Sequence, residues 1–550
     1  MTAHGIRSVR PQSSVRGTEL FFANIRMAIS AIRSWMTISL CVALLFFFLA
    51  MYFVTENAEH RAIACAGGLM ANGNFTVSEC FENDALLEKA RWAGSGALAV
   101  FALTCFACWR FLRRMGHRAL EDKFIRGSKL ALVDDLKEKI QELGLAGPFS
   151  VAGVPILKSR ETEHLVIVGA TGSGKSVAIK ELLDQVRAEK QRAVIYDVSG
   201  EFVSTYFNPE TDVILNPLDV RCPAWSPWVE ASTSYAMDSI AASLIPENRD
   251  DSFRVNAARA LFSGIANQLV LRKECTNERL FHYAAIAPLS ELQSFLEGTP
   301  AGTLIDPSSE ATASSIRAVL TGYLGVWPYL KETDNPDNPD SFSIRNFIAN
   351  DDNEGFLFLT SRADQHDLLK PILSCWLSLC INATLSLPES RERRIWFFLD
   401  ELASLHRVKI ADFLERARKH GGAAVLGMQA TSQLQSIYGK EDASSLLQNC
   451  KTGLYLQVSD ADTAKSISAM CGNQEILEGG ENQRFTRSYF KDGANLSRNR
   501  VVRPVVLDAE LLNLQKLEGY LRLPDDWPIT KIKLGFKDRP KLAEAFVARD

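Results

Sequence analysis

The sequence predicts an α/β protein built on a parallel sheet and preceded by two membrane-crossing helices. Three observations carry that prediction. Two uncharged apolar stretches lie within the first 110 residues. Behind them, short buried-strand runs recur, each followed by a glycine or polar turn and a helical pattern, the order a parallel sheet requires. The 550 residues are 47 % hydrophobic and 23 % charged, an ordinary globular balance spread over several domains. Lys plus Arg total 61 against 65 for Asp plus Glu, a net charge of −4, so no global basic field marks a nucleic-acid partner and any polyanion binding must come from local patches. The 11 cysteines are too sparse for a disulfide scaffold and lack paired zinc spacing.

From Ser34 to Thr55 there is no charged residue, and the run is long enough to cross the roughly 30 Å hydrocarbon layer at 1.5 Å per residue. A second uncharged run covers Trp92–Trp109. Arg7, Arg10, Arg16, Arg26 and Arg33 precede the first run and Arg110, Arg113, Arg114 and Arg118 follow the second, which predicts two cytoplasmic ends and a short outer loop. A 33-residue lead before the apolar run is long for a signal peptide, so the helix is expected to remain. Cys65 and Cys80 are the cysteines of the outer loop and can bridge in an oxidising space; Asn74 begins a glycosylation triplet that has meaning only in a glycosylating host. The charged connector Glu121–Glu142 reads as a helix near the membrane.

Next comes a strand, Leu165–Val168, a glycine loop, and the helical pattern Val177–Val186. Gly169, Ala170, Thr171, Gly172, Ser173, Gly174, Lys175 and Ser176 fit G-x-x-x-x-G-K-[ST] in the strand-to-helix context the motif needs. Glycines let backbone amides close on a β-phosphate at a helix N-terminus, Lys175 reaches the β/γ oxygens, and the Ser176 hydroxyl is a Mg²⁺ ligand; the cofactors expected are ATP and Mg²⁺. Such a loop needs carboxylates at the end of another parallel strand. Ile395–Leu399 is an all-apolar run ending in Asp400 and Glu401, read as the Mg²⁺ ligand and the general base. A third run, Ala423–Met428, ends in Gln429, a sensor of the γ-phosphate or attacking water, with Gln433 the second choice. Upstream of it, the helix Ala411–His420 exposes Arg416, Arg418 and Lys419, which read either as a charged solvated face or as the source of an arginine that reaches a neighbouring subunit's γ-phosphate.

These residues resemble the type IV coupling proteins of bacterial conjugation, the TraD/TrwB group, related to the FtsK and HerA translocases. The resemblance rests on the two apolar helices, GATGSGKS, the strand end Asp197-Val198-Ser199-Gly200-Glu201, VILNPLD at Val213–Asp219, FFLDELASL at Phe397–Leu405 and GMQATSQL at Gly427–Leu434. It implies a RecA-like P-loop domain interrupted by an all-α insertion, and a homo-hexamer around a channel in the bacterial inner membrane with its bulk in the cytoplasm. It also implies Mg²⁺-dependent, DNA-stimulated ATP hydrolysis that moves single-stranded DNA with its relaxase and relaxosome proteins toward a type IV secretion channel. The family's P-loop falls on Gly169–Ser176, its acids on Asp400 and Glu401, its glutamine on Gln429, and its arginine finger on Arg418. Val198 stands where the family has Pro, and no long acidic tail precedes Asp550, which leaves the mode of relaxosome docking open.

The layout expected is a cytoplasmic segment at 1–33, the anchor at 34–120 with its lipid contacts, a nucleotide-binding domain at 121–230 and 341–550, and the helical insertion at 231–340. Within the insertion, Ser252–Leu271 and Ala311–Tyr323 read as helices; Lys331–Asp340 is a turn-rich connector before the sheet resumes at Phe356–Leu359. Between Asp238 and Asp340 there are 14 acidic and 8 basic residues, which suits a protein partner better than DNA, whereas Arg484–Lys541 holds 13 basic and 7 acidic. Arg484, Arg487, Lys491, Arg498, Arg500 and Arg503, with Phe485, Tyr489 and Phe490, read either as a pore-lining DNA segment or as a solvated loop. The alternative function is a receptor that docks protein effectors onto a secretion channel without acting as a DNA motor. An ABC-type transporter would need an LSGGQ-like signature and more membrane helices, and neither is present.

Overall fold

The computed structural model describes residues 14–54, 84–120, 123–231, 233–247, 251–332, 341–484 and 493–549. Contacts group the chain into two units, Met1–Arg126 with Glu475–Arg503, and Gly127–Gln474 with Pro504–Asp550. Cys65, Cys80, Asn74, most of the Lys331–Asp340 connector, and Arg487, Lys491, Phe485, Tyr489 and Phe490 lie outside the described residues.

The first unit holds two long helices, Ser14–Val54 and Asp84–Leu120. Within them Ile32–Val54 and Glu88–Phe111 are long and apolar enough to cross a membrane, and nearly all of each span is exposed, the pattern of a surface meant for lipid. The same unit carries β1 (Lys123–Gly127) and, from the far end of the chain, most of β12 (Asn473–Arg484) and β13 (Gly493–Pro504), ordered β1-β12-β13 in one sheet. Two expectations change here. The connector Glu121–Glu142 is helical only over Val133–Glu142, because Gly127 at φ 101° turns the chain out of β1 and the Ser128 N–H donates to Asn473 O. The basic Arg484–Arg503 stretch is not a plain loop; its flanks are paired strands.

The second unit is built on a ten-stranded sheet. In chain order its strands are β2 (Leu130–Ala131), β5 (Leu165–Val168), β6 (Arg192–Asp197), β7 (Val213–Leu215), β8 (Phe356–Thr360), β9 (Ile395–Leu399), β10 (Gly422–Met428), β11 (Thr452–Leu456), β14 (Glu518–Arg522) and β15 (Ile529–Lys533). A separate hairpin pairs β3 (Ala146–Val151) with β4 (Val154–Leu157). The sheet order is β2-β15-β14-β11-β5-β10-β9-β6-β8-β7. From β11 to β7 neighbouring strands are parallel, and β14 and β15 extend the sheet antiparallel.

Both faces of the parallel part are covered, which explains why its strands read as unbroken apolar runs. On β5, Val166 and Val168 enter one core while Leu165 and Ile167 enter the other; on β6, Val194 and Tyr196 alternate with Ala193 and Ile195 in the same way. The second core takes the helix Lys175–Ala188 through Ala178, Ile179, Leu182, Leu183 and Val186. The first is continuous with the helices that follow β7, among them Ser234–Leu244, Ser252–Arg272 and Glu310–Tyr323. Glu230 is buried just before them, and accepts hydrogen bonds from the backbone of Ile344 and Arg345, where the chain returns to the sheet. The helix His366–Leu385 also has the length of a membrane span, but two thirds of it is buried beside the sheet, so its hydropathy is that of a core helix.

After β15, residues 534–549 form an extended strap. Leu534 lies beside Gly174, Lys537 and Arg539 pair with Asp184 on the helix Lys175–Ala188, and the Leu542 N–H donates to Ser204 O. Farther on, the Val547 N–H donates to Asp219 Oδ2 and Arg549 Nη1 donates to Tyr329 O.

Candidate nucleotide site

The site grows out of sheet order. β5 lies between β10 and β11, with β9 beyond β10, all running the same way, so their C-terminal ends open onto one edge. The loop after β5 is anchored to both neighbours: the Gly169 N–H donates to Met428 O (3.0 Å) and the Ala170 N–H to Gln457 O (2.8 Å). A Cβ on Gly169 would stand 2.4 Å from Ser173 Oγ, and Gly172 and Gly174 sit at φ 77° and 123°, so the glycines are required by closeness and by backbone sign. The helix Lys175–Ala188 then begins with no side-chain cap, leaving its first N–H groups and the positive end of its dipole to an anion.

Lys175 is buried, and its Nζ donates to Gly169 O at 3.3 Å. Facing it from β9 are Asp400 and Glu401. Gly427 on β10 passes so near that a Cβ there would meet Asp400 O at 2.3 Å. Burial pushes the Asp400 carboxyl up to about 6, against the pull of Lys175, with Asp197 and Glu401 adding repulsion. Burial likewise raises Glu401, partly offset by the hydrogen bond from Gln429. Gln429 is the connecting piece: its Nε2 donates to Glu401 Oε2 (2.8 Å) while its Oε1 accepts from Thr171 Oγ1 (3.2 Å). One side chain therefore ties the acid pair to the glycine loop.

Three buried oxygens here have no hydrogen-bond partner: Asp400 Oδ1, Glu401 Oε1 and Ser173 Oγ. Such groups cost folding energy unless a ligand completes them. An acidic oxygen left open beside Lys175, with the Ser176 hydroxyl on the adjoining helix turn, suits Mg²⁺, a hard cation that takes few protein ligands and fills its shell with phosphate and water. Among the described residues no cluster of three or more His, Cys, Asp or Glu could hold a metal by itself.

The structure thus brings Gly169–Ser176, Asp400, Glu401 and Gln429 to one edge. It does not bring Arg418 there. Arg418 precedes β10, whose seven residues at about 3.3 Å each place it about 23 Å from Gln429 at the opposite edge of the sheet. There it is 59 % exposed and pairs with Glu163 at 2.8 Å. Gln433 lies on the helix Thr431–Tyr438 and is exposed.

Asp197 holds the backbone rather than a ligand. Fully buried, it accepts from the N–H groups of Ser199, Glu201, Phe202 and Val203, capping the helix Glu201–Tyr206 without a proline at Val198. Sequence reasoning missed two supports. The Leu517 N–H donates to Ser173 O (3.0 Å), and the Leu517 and Leu534 side chains lie 3.0 and 3.2 Å from where a Gly174 Cβ would be. Under the acid turn, the Ser404 hydroxyl donates to Glu401 O and meets Tyr196 Oη at 2.6 Å. No local motif announces either, since both join residues more than 200 positions apart or far from the loop.

A sequence model of the type IV secretion-system coupling protein DNA-binding domain matches residues 148–535. The coupling protein TraD of Escherichia coli (strain K12) is 33 % identical over 460 residues, 82 % of this chain and 64 % of TraD, so the match leaves over a third of TraD unspanned. Two solved structures of the plasmid coupling protein TrwB are 33 % identical with TM-scores of 0.68. The one in complex with the ATP analogue ADPNP covers 78 % of this chain and 98 % of its own; the one with ADP and Mg²⁺ covers 77 % and 97 %. With its P-loop, acid pair and glutamine on one edge of a RecA-like sheet, the chain belongs to the type IV secretion-system coupling proteins.

Proposed function

We propose that this protein is a membrane-anchored ATPase that couples relaxase-bound single-stranded DNA to a type IV secretion channel and drives its passage. The observation that carries the reading is the Thr171–Gln429–Glu401 connection, which links the phosphate-binding loop to a raised-pKa carboxylate. The family membership and the nucleotides bound by TrwB support it.

ATP enters with its β-phosphate against the N–H groups of residues 169–176 and with Lys175 on the β/γ oxygens. Asp400 and the Ser176 hydroxyl are the residues that would hold Mg²⁺, which would supply neutralisation of the developing phosphate charge. Glu401 accepts a proton as water attacks the γ-phosphorus in line, the bond to the β–γ bridging oxygen breaks, and ADP and phosphate leave. Its elevated pKa brings the base nearer to working pH, which strengthens it as an acceptor. Gln429 orients the water and reports the γ-phosphate to β10. Because Arg418 stands at the far edge, it serves as the finger only for a neighbouring subunit's nucleotide, which makes a ring, here a homo-hexamer, part of the active enzyme.

In this proposal 34–120 anchors the chain in the inner membrane with the bulk in the cytoplasm, 121–230 and 341–550 form the nucleotide domain, and 231–340 is the insertion. The test is ATP hydrolysis by the full chain in lipid nanodiscs, with and without single-stranded DNA, using Lys175→Ala as the blank. DNA stimulation above the blank is expected. Hydrolysis indifferent to DNA would replace the motor with a receptor for protein effectors.

A further inference from the structure

We propose that Glu163 is a positioning residue: it holds the Arg418 side chain ready for the γ-phosphate bound by a neighbouring subunit. This deepens the reading of a hydrolysing ring given above and rests on it.

The choice among cations comes first. Arg416, Arg418 and Lys419 are all exposed. Lys419 lies 3.7 Å from Glu389, and both side chains are more than 70 % exposed; so solvated a pair hardly restrains a long side chain. Among the described residues, Arg418 alone of the three pairs with a buried carboxylate. Its Nη1 stands 2.8 Å from Glu163 Oε1, and Glu163 is only 8 % exposed. A carboxylate shut away from water has no solvent to exchange for its partner, so it holds the guanidinium in place. The contact uses one of the three guanidinium nitrogens and leaves Arg418 59 % exposed, so the rest of its donor fork remains open to an incoming phosphate.

Glu163 is itself fixed. It closes the short turn Glu161–Glu163 that leads into β5, the strand that ends in this subunit's own phosphate loop. Its N–H donates to Arg160 O (3.0 Å), its C=O accepts from the Lys451 N–H (2.9 Å) at the foot of β11, and its carboxylate also pairs with Arg160, which Asp525 holds in turn at 3.0 Å. The next residue, His164, adopts φ 62°, a sparsely populated region for a residue with a Cβ. Its buried ring accepts from the Ala424 N–H through Nδ1 (3.1 Å), so Nε2 carries the proton and donates to Leu414 O (2.9 Å). Leu414 and Ala424 flank Arg418 in sequence, and the Ser390 N–H donates to Lys419 O (2.8 Å) from the other side. These bonds set the backbone of the Arg418 turn without the Glu163 carboxylate, whose own task is the side chain.

The surroundings suit an anion. The groove at this edge is lined by Ser159, Thr162, Arg391, Arg394 and Lys419 besides Arg418 and Ser390, with Glu389 the one acid of the lining. Glu163 lies beneath that surface, so it steadies Arg418 without turning the groove negative.

The test uses the full chain. Glu163→Gln preserves the side-chain shape and both backbone bonds. In the assembled protein it should lower kcat about tenfold and leave KM and nucleotide Kd unchanged. In an Arg418→Ala background the same change should do nothing further, because the group it acts through is gone. Mixed assemblies, co-purified through two different tags, locate the effect. Lys175→Ala chains, which turn over no ATP themselves, should supply Arg418 to Arg418→Ala chains and restore hydrolysis. Adding Glu163→Gln to the Lys175→Ala chain should cut that restoration about tenfold, whereas adding it to the Arg418→Ala chain should leave it intact. Equal losses from Glu163→Gln with and without Arg418, or a loss that follows the substitution on the Arg418→Ala chain, overturn the proposal. So does a faster Glu163→Gln enzyme, which would make Glu163 a restraint on Arg418. Failure of the underlying reading looks different: mixed assemblies would then never exceed either variant alone, and the shared site falls together with its brace.

Discussion

Replacing Asp400 with Asn separates what this carboxylate costs from what it does. Its pKa rises from 3.8 to about 6 in the folded protein, chiefly through burial. A carboxyl held above its unfolded value keeps its proton longer when folded, so stability is highest at low pH and is lost as pH rises from about 4 through about 6. At about 1.4 kcal/mol for each pH unit, that rise amounts to about 2 to 3 kcal/mol of cost at pH 7.5. Asn has the shape of the neutral acid, so Asp400→Asn without nucleotide should be more stable than the parent at pH 7.5 by that order, and the gap should close near pH 4. With Mg²⁺ and ATP the order should reverse, because only the parent keeps the metal ligand. The assay is thermal or urea unfolding at both pH values, with EDTA or with Mg²⁺–ATP. A variant less stable than the parent without nucleotide at pH 7.5, or a gap of equal size at pH 4, would refute the reasoning.

Other substitutions address single roles. Glu401→Gln should bind ATP with the parent's affinity and lose at least about 100-fold in turnover; the parent's rate should climb with pH as Glu401 deprotonates, and the variant's residual rate should not, as steady-state profiles would show. Arg418→Ala should leave nucleotide Kd unchanged while turnover of the assembled protein falls roughly 10³-fold, and Glu163 retains its contact with Arg160, so melting should hardly move. Gly174→Ala imposes a side chain at φ 123° against Leu517 and Leu534; a cost of about 1 to 3 kcal/mol should appear as weaker binding of a fluorescent nucleotide.

What was legible from the residues was local. The strand, loop and helix around Gly169–Ser176 announce themselves because their signals, an apolar run, glycines and a helical period, lie within about two dozen residues. Asp400, Glu401 and Gln429 were placed by a topological rule, that parallel strands deliver their ends to one edge, and β9, β10 and β5 are indeed adjacent. The same rule, applied to the start of β10, already sends Arg418 to the opposite edge. What stayed hidden depends on partners far along the chain. Lys123–Gly127 looks like part of a charged helix until Asn473–Arg484 lies beside it, and that segment's polar, glycine-bearing sequence carries no apolar alternation to mark it as strand. Leu517 and Leu534 touch the P-loop through backbone contact and bulk, which leave no motif.

The strap and the two strands before it also set a timetable. β5 and its loop exist once residue 176 has been made, but β11 lies at 452–456 and the braces at Leu517 and Leu534 come later still. At 5 to 20 residues per second, a ribosome needs roughly 20 to 70 s to pass from the loop to its last brace. The two apolar helices leave the ribosome long before that, so the chain meets the bilayer while its nucleotide loop is still unsupported. On the membrane-anchored reading proposed above, a nascent chain is therefore already in the bilayer before its nucleotide loop has its last brace.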